Sequence, residues 1–375
     1  MTRMLRRRLL AGGAWLGLAG LAGCTAGRPT PTRLEPLLPA IAGRRVWTQR
    51  LPGIGFPLSV ASREGLFYAA GDDGTVLVLR AADGQEVWRA RTGGALSAGV
   101  GTDGRHVAVV RRDHALVVLD RGQPAWQAPL PGGVLTAPLV AGERVFVLGV
   151  DRSVSAFDAL DGKRLWSLKR PGDPLSLSQA GVLAPHGNTL LVGQGPRLAG
   201  IDPLRGTVLW EASVSSPRGT NEVERLADLV GPSVRLGPSV CLRSFQSSVG
   251  CVDVTRASLR WARNVTGSQP IAADEDLLVA GDASDRLSAW QQGSGQLLWS
   301  SDRFVFRALS GLLLSGRTLV FGDFEGLVHF LDRQTGQPLL RLGTDGSPVV
   351  GVPTASEATI LVTTRTGGLH AFRPE

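Results

Sequence analysis

Seven tryptophans punctuate the chain at nearly even intervals, and this spacing constrains the fold more than any other feature. Trp47, Trp88, Trp126, Trp166, Trp210, Trp261 and Trp299 fall 38 to 51 residues apart, and Leu340 stands where the next is due, 41 beyond Trp299. A period of roughly 40 to 45 residues is that of a four-stranded propeller blade. Trp15 and Trp290 lie outside the series.

Each tryptophan closes a unit of one grammar, clearest between Arg144 and Trp166. An apolar run (Val145-Phe146-Val147-Leu148), a polar turn (Asp151-Arg152-Ser153), a second run from Val154 and a turn containing Asp161-Gly162-Lys163 precede the strand that carries Trp166. Asp stands eight places before the closing residue at Asp158, Asp202, Asp253 and Asp332, and Gly four places before it at Gly84, Gly122, Gly162, Gly206, Gly295 and Gly336. A glycine at a fixed place in a short hairpin supplies a positive φ that a side chain resists. Alternating apolar residues send one face of each strand into a core, and a tryptophan at the end of each unit can wedge between neighbouring blades. With 43% apolar and only 19% charged residues there is material for a large core, and 49 Gly with 23 Pro fit many tight turns.

The ends of the chain complete the count. The last unit runs Thr359-Ile360-Leu361-Val362, Gly367-Gly368 and Leu369-His370-Ala371-Phe372 and then lacks its tryptophan strand, whereas Trp47 has no strands before it. The expectation is an all-β chain: an eight-bladed propeller over residues 45–375, closed by the N-terminal strand, which completes the last blade and removes an exposed sheet edge. Seven blades would result if one unit has become a loop.

Residues 1–23 read as a signal peptide. Arg3 and Arg6 to Arg8 precede an apolar run over 9–21, too short to span a bilayer core of ~30 Å as a helix. Leu21-Ala22-Gly23-Cys24 resembles the lipobox of bacterial lipoproteins, which makes Cys24 the acylated residue after cleavage; Thr25 beside it implies sorting to the outer membrane. Residues 24–44, with Pro29, Pro31, Pro36 and Pro39, read as a flexible tether. The formal charge of +8 falls to about +4 once the four signal-peptide arginines are gone, and the remaining cations are scattered, which argues against a nucleic-acid partner.

The segment Ala156-Phe157-Asp158-Ala159-Leu160-Asp161-Gly162-Lys163-Arg164-Leu165-Trp166 resembles the docking repeat of quinoprotein (PQQ-type) propellers. That repeat serves two kinds of protein. A dehydrogenase needs a quinone pocket, a calcium ion held by oxygens and an Asp base; adjacent cysteines and a Cys-x-x-Cys-His haem signature are absent here. Lipobox, tether and eight repeats together resemble the BamB family of the outer-membrane β-barrel assembly (BAM) machinery. This resemblance implies a non-catalytic lipoprotein, without cofactor, at the periplasmic face of the outer membrane. Its implied partners are the periplasmic POTRA domains of BamA, the rest of the BAM complex and unfolded outer-membrane protein clients. Residues 219–228, in the longest unit, resemble the family's acidic, arginine-containing loop, so Glu224, Arg225 and Asp228, with Leu175 and Leu177 of Leu175-Ser176-Leu177, are the implied partner contacts. Ser178 stands where the family has Arg, and Val230 where a second Asp is expected.

Cys241 and Cys251 flank an expected hairpin through Gln246-Ser247-Ser248 that could set them opposite one another; a disulfide and two free thiols are both compatible with the sequence. His106, His114, His186, His329 and His370 show no metal-ligand spacing, and no Gly-x-Ser-x-Gly elbow is present. A periplasmic propeller binding peptidoglycan or sugar is the alternative from another class, and an aromatic-lined pocket would favour it.

Overall fold

The computed structural model describes residues 29–169, 177–216 and 226–374. The chain divides into two units after Thr30, and the strands all belong to the unit from Pro31 onward. It is an eight-bladed β-propeller of four-stranded antiparallel sheets, with no helix among the described residues. Blades 1 to 7 span 61–91, 96–129, 139–168, 183–213, 229–264, 272–301 and 313–343. Blade 8 combines Val349–Ser356, Thr359–Thr364 and Gly368–Pro374 with the N-terminal strand Gly43–Arg50, which pairs antiparallel from Gly43↔Pro374 to Arg50↔Gly368.

Burial follows strand position within a blade. Middle strands such as Thr75–Arg80 are buried on both faces, because a blade is sandwiched between its neighbours, and they read as unbroken apolar runs. Outer strands such as Glu86–Arg91 alternate between half-buried and exposed. Eight apolar cores result, each shared by two adjacent blades: Val110 and Leu116 of blade 2 meet Val145 and Phe157 of blade 3. The ring closes in the same way, with Leu361 and Leu369 of blade 8 against Phe67 and Leu77 of blade 1.

The tryptophans join these blades through the glycine turns. Trp47, Trp126, Trp166, Trp261 and Trp299 each donate the indole N–H to a carbonyl of the following blade (Ala81, Ala159, Pro203, Gln292 and Arg333) at 2.7–3.0 Å. The same indoles, and that of Trp88, lie on the next blade's glycine; a Cβ at Gly162 would stand 2.5 Å from Trp126 Cε3. Glycine is therefore demanded twice, by a φ of +74° and by the ring packed on its Cα. Leu340 uses Gly43 in the same manner, its Cδ2 2.6 Å from where a Cβ would lie. The aspartates eight places before the closing residue fold these turns: Asp158, Asp202, Asp253 and Asp332 each accept the backbone N–H two residues on, at 2.8–3.0 Å.

Trp210 departs from this arrangement. The following blade has Ala257 in place of glycine, at φ +49°, and the Trp210 indole lies over Gly200 of its own blade. Gly200 is the cross-strand partner of Trp210, a place held by Val78, Val118, Ala156, Cys251 and Ala289 in the other tryptophan blades whose order runs straight through the sequence. A missing glycine on one side is matched by an extra one on the other.

The antiparallel order sorts the connections onto two faces. Turns between second and third strands and the links from blade to blade lie on one face, here called upper; the remaining hairpin turns, with the docking glycines, lie on the lower face. The tether expected through residue 44 needs correction over 31–42, where the chain is packed against blade 7: Thr32 N donates to Val305 O at 2.9 Å and Ala40 N to Leu339 O at 2.8 Å. Leu34 and Ile41 supply the reason, each adding to an inter-blade core.

Candidate functional site

On the upper face, three blades meet at Asp228, which ends the connection into blade 5. Its Oδ1 accepts from Arg152 Nη2 at 2.8 Å, and its Oδ2 accepts the Leu177 N–H at 3.1 Å. Its carbonyl accepts the Phe245 N–H at 2.9 Å, and the next residue, Leu229, donates its N–H to Gly195 O at 3.0 Å. Arg152 occupies the upper turn of blade 3 at φ +62°, and Leu177 leads into blade 4. One carboxylate thus ties together the approaches to blades 3, 4 and 5.

The Arg152 and Asp228 side chains are only 22% and 16% exposed, so the pair is worth more than a surface ion pair. The cavity beside them encloses about 50 Å³ and is lined by Leu135, Val150, Leu177 and Leu229. Small-molecule sites run to ~300 Å³ or more. What the junction offers is a rigid rim, with Val150 37% exposed, suited to contact with another protein surface.

Of the residues that the resemblance implies, Leu177 and Asp228 meet here. Cys24, Leu175, Glu224 and Arg225 lie outside the described residues. Val230, where the family has a second Asp, is buried in the inner strand of blade 5. Sequence reasoning missed Arg152, whose bond to Asp228 spans 76 positions. Its only local signal is an arginine at a turn place where a positive φ is required.

Blade 5 also holds the cysteine pair. Cys241 and Cys251 are register partners on adjacent strands, joined with an S–S distance of 2.01 Å and fully buried among Trp261, Leu278 and Trp290. Nearby, the fully buried Arg243 donates to Thr266 O at 2.8 Å and Gly281 O at 2.5 Å, fastening blade 5 to blade 6. Burial pushes this guanidinium down to about 10, with Asp282 acting in the opposite direction, and it stays charged at neutral pH.

The central opening is unlike the quinone and calcium pocket that a PQQ-type dehydrogenase needs. Among the described residues, those lining a cavity of about 460 Å³ there, such as Ser59, Thr136, Gln179, Ser268, Gln269 and Thr354, include no ionisable side chain. A calcium ion needs carboxylate oxygens and the proton-abstracting step a base, so these residues do not fit the cofactor. Among the described residues, no aromatic ring lines this cavity or the one beside Asp228.

These features define a class: a tryptophan-docked, eight-bladed propeller whose candidate site is a surface junction. Comparison with known proteins narrows it. The family model described as "Outer membrane protein assembly factor BamB" matches residues 38–96, 72–301 and 286–375. Proteins of that name from Burkholderia pseudomallei and Bordetella pertussis are 34% and 32% identical, over 92% and 95% of both chains respectively. The crystal structure of BamB from Moraxella catarrhalis superposes with a TM-score of 0.80 at 21% identity, covering 88% of this chain and all of that one. The chain belongs to the BamB family. A quinohemoprotein alcohol dehydrogenase from Comamonas testosteroni, with a TM-score of 0.68 at 14% identity over 88% of this chain and 76% of its own, shares the fold alone. The chain is non-catalytic, as its near relatives indicate.

Proposed function

We propose that the chain is a lipid-anchored scaffold of the BAM complex, tethered through Cys24 to the periplasmic side of the outer membrane and docked by its upper face on the POTRA domains of BamA. The relatives' shared name supports a role in outer-membrane protein assembly. The observation that carries the docking surface is Asp228: its carboxylate is consumed within the chain, by Arg152 and by the Leu177 backbone. Asp228 therefore acts by shaping the surface, and Leu177 and Val150 on that surface make the contact, with Leu175, Glu224 and Arg225 added by the family resemblance.

A rigid ring with several turns on one face suits simultaneous contacts with the barrel subunit and with unfolded clients. Affinity purification from detergent-solubilised outer membranes tests the assignment. The barrel subunit should co-purify with the wild-type chain in stoichiometric amounts. Recovery of peptidoglycan fragments without it would support the sugar-binding alternative and reject this one.

A further inference from the structure

Residues 31–42 descend the outside of blade 7, and their contacts form a built seat. Thr32 is held through both backbone groups, its N–H by Val305 O at 2.9 Å and its carbonyl by Arg307 Nη1 at 3.0 Å. Glu35 is held through its side chain by Arg303 at 2.8 Å and through its carbonyl by Arg341 Nη1 at 3.2 Å. Leu34 packs on the core between blades 6 and 7, and Ile41 on the core between blades 7 and 8.

Arg307 is the fixed point of this seat. It is 4% exposed, its Nε and Nη2 lie 2.9 and 2.8 Å from Asp323 Oδ2, and Nη2 also reaches Glu325. Asp323 is fully buried and is held in turn by His329 Nε2 at 3.0 Å, while the guanidinium stacks 5.0 Å from the Phe324 ring. Three sides of the guanidinium are thus anchored in blade 7, and the fourth is committed to Thr32. A planar, rigid fork suits such divided duty.

We infer that residues 31–42 are a clasp latched by Arg307, so that the preceding chain leaves the propeller at Pro31 on the upper face, the face of the Arg152–Asp228 junction. Val305 and Arg307 lie on the upper link between blades 6 and 7, whereas Gly43, where a free tether would end, lies on the lower face. The consequence for membrane geometry rests on the lipidation proposed above. Pro31 follows Cys24 by seven positions, a reach of about 25 Å when fully extended. A clasped chain therefore turns its upper face to the bilayer, and an unclasped one would be suspended from its lower face on a leash of roughly 60 to 70 Å.

The test uses the mature, acylated protein in vesicles with a headgroup-labelled acceptor lipid. Hydrogen exchange decides the clasp itself. The Thr32 and Ala40 amides should exchange at least about a hundredfold more slowly than free peptide, and the double substitution Leu34→Ser with Glu35→Ala, which leaves the Arg307 cluster intact, should speed Thr32 at least tenfold without changing the strand Thr318–Gly322. A donor dye on Thr366→Cys, in an upper turn, should be quenched by the lipid more than one on Arg317→Cys, in a lower turn, and the double substitution should shrink the difference. Free-peptide exchange at Thr32 in the wild type, or stronger quenching at Arg317→Cys, would overturn the clasp. A chain that lacks acyl mass and does not bind vesicles would refute the lipid anchor, while exchange at Thr32 would still decide the clasp.

Discussion

The seat of an indole on a neighbouring glycine can be measured by adding one methyl group. Gly162→Ala brings two costs: the left-handed backbone at φ +74° disfavours a side chain by about 1 kcal/mol, and a Cβ 2.5 Å from Trp126 Cε3 overpacks the blade interface by roughly 1–3 kcal/mol. The loss of unfolded-state freedom returns a few tenths, which leaves a net destabilisation of about 2–4 kcal/mol. Gly142→Ala is the internal control, since its φ is +58° but nothing lies within 4 Å of the added carbon, so it should cost only about 1 kcal/mol. Removing the ring with Trp126→Ala is itself severe, about 3–5 kcal/mol, yet in that background Gly162→Ala should fall to the control value. Urea unfolding of the four variants, followed by tryptophan fluorescence and by circular dichroism, gives the cycle. Equal costs for Gly162→Ala and Gly142→Ala, or perfect additivity with Trp126→Ala, would refute the docking argument.

Three further outcomes follow from the geometry. Gly200→Ala, which ordinary strand preference would make favourable, should instead destabilise by about 1–3 kcal/mol because the Trp210 indole occupies the space, as the same unfolding assay would read. Cys241 and Cys251 should resist alkylation in unfolded protein until reductant is added, and replacing both with Ser should cost about 2–3 kcal/mol; ready alkylation without reductant rules the bridge out. Burial lowers the pKa of His329 and of His370, against the opposing pull of Asp323 and of Asp345 respectively. Both imidazoles therefore protonate more readily when the fold opens, so stability should be full above the ordinary histidine value near ~6.5 and fall as pH drops below it, by at most about 1.4 kcal/mol per pH unit for each histidine. His370→Gln should flatten this slope in melts between pH 7 and pH 5, and an unaltered slope would refute its part in it.

The ring was legible because its cause is local and repeated. Tryptophan spacing located seven of the eight outer strands, Leu340 the place of the eighth docking residue, and the unmatched ends the closure through Trp47. Even the Trp210 exception left a trace, since Ala257 stands where other units have glycine. The candidate site was legible only in part. Asp228 and Leu177 stood out by resemblance, but Arg152 reaches Asp228 because the ring brings upper turns together, and no spacing rule encodes that proximity. The stretch 31–42 misled for a related reason. Its three prolines and lack of periodic apolar content read as a tether, while the contacts that hold it, such as Arg307 to Thr32, join residues 275 positions apart. Short-range pattern shows what a segment can do alone and is blind to a groove built by the far end of the chain.

The upper face as docking surface is tested most directly by calorimetric titration of the purified chain with the soluble POTRA domains of BamA from the same bacterium. The wild type should bind, and Asp228→Ala, which releases both Arg152 and the Leu177 backbone, should weaken binding at least tenfold while the melting of the propeller stays cooperative. Arg152→Ala should weaken it in the same direction, because it undoes the same junction. Affinity unchanged in both variants, or a wild type that does not bind, would contradict the role assigned to this face.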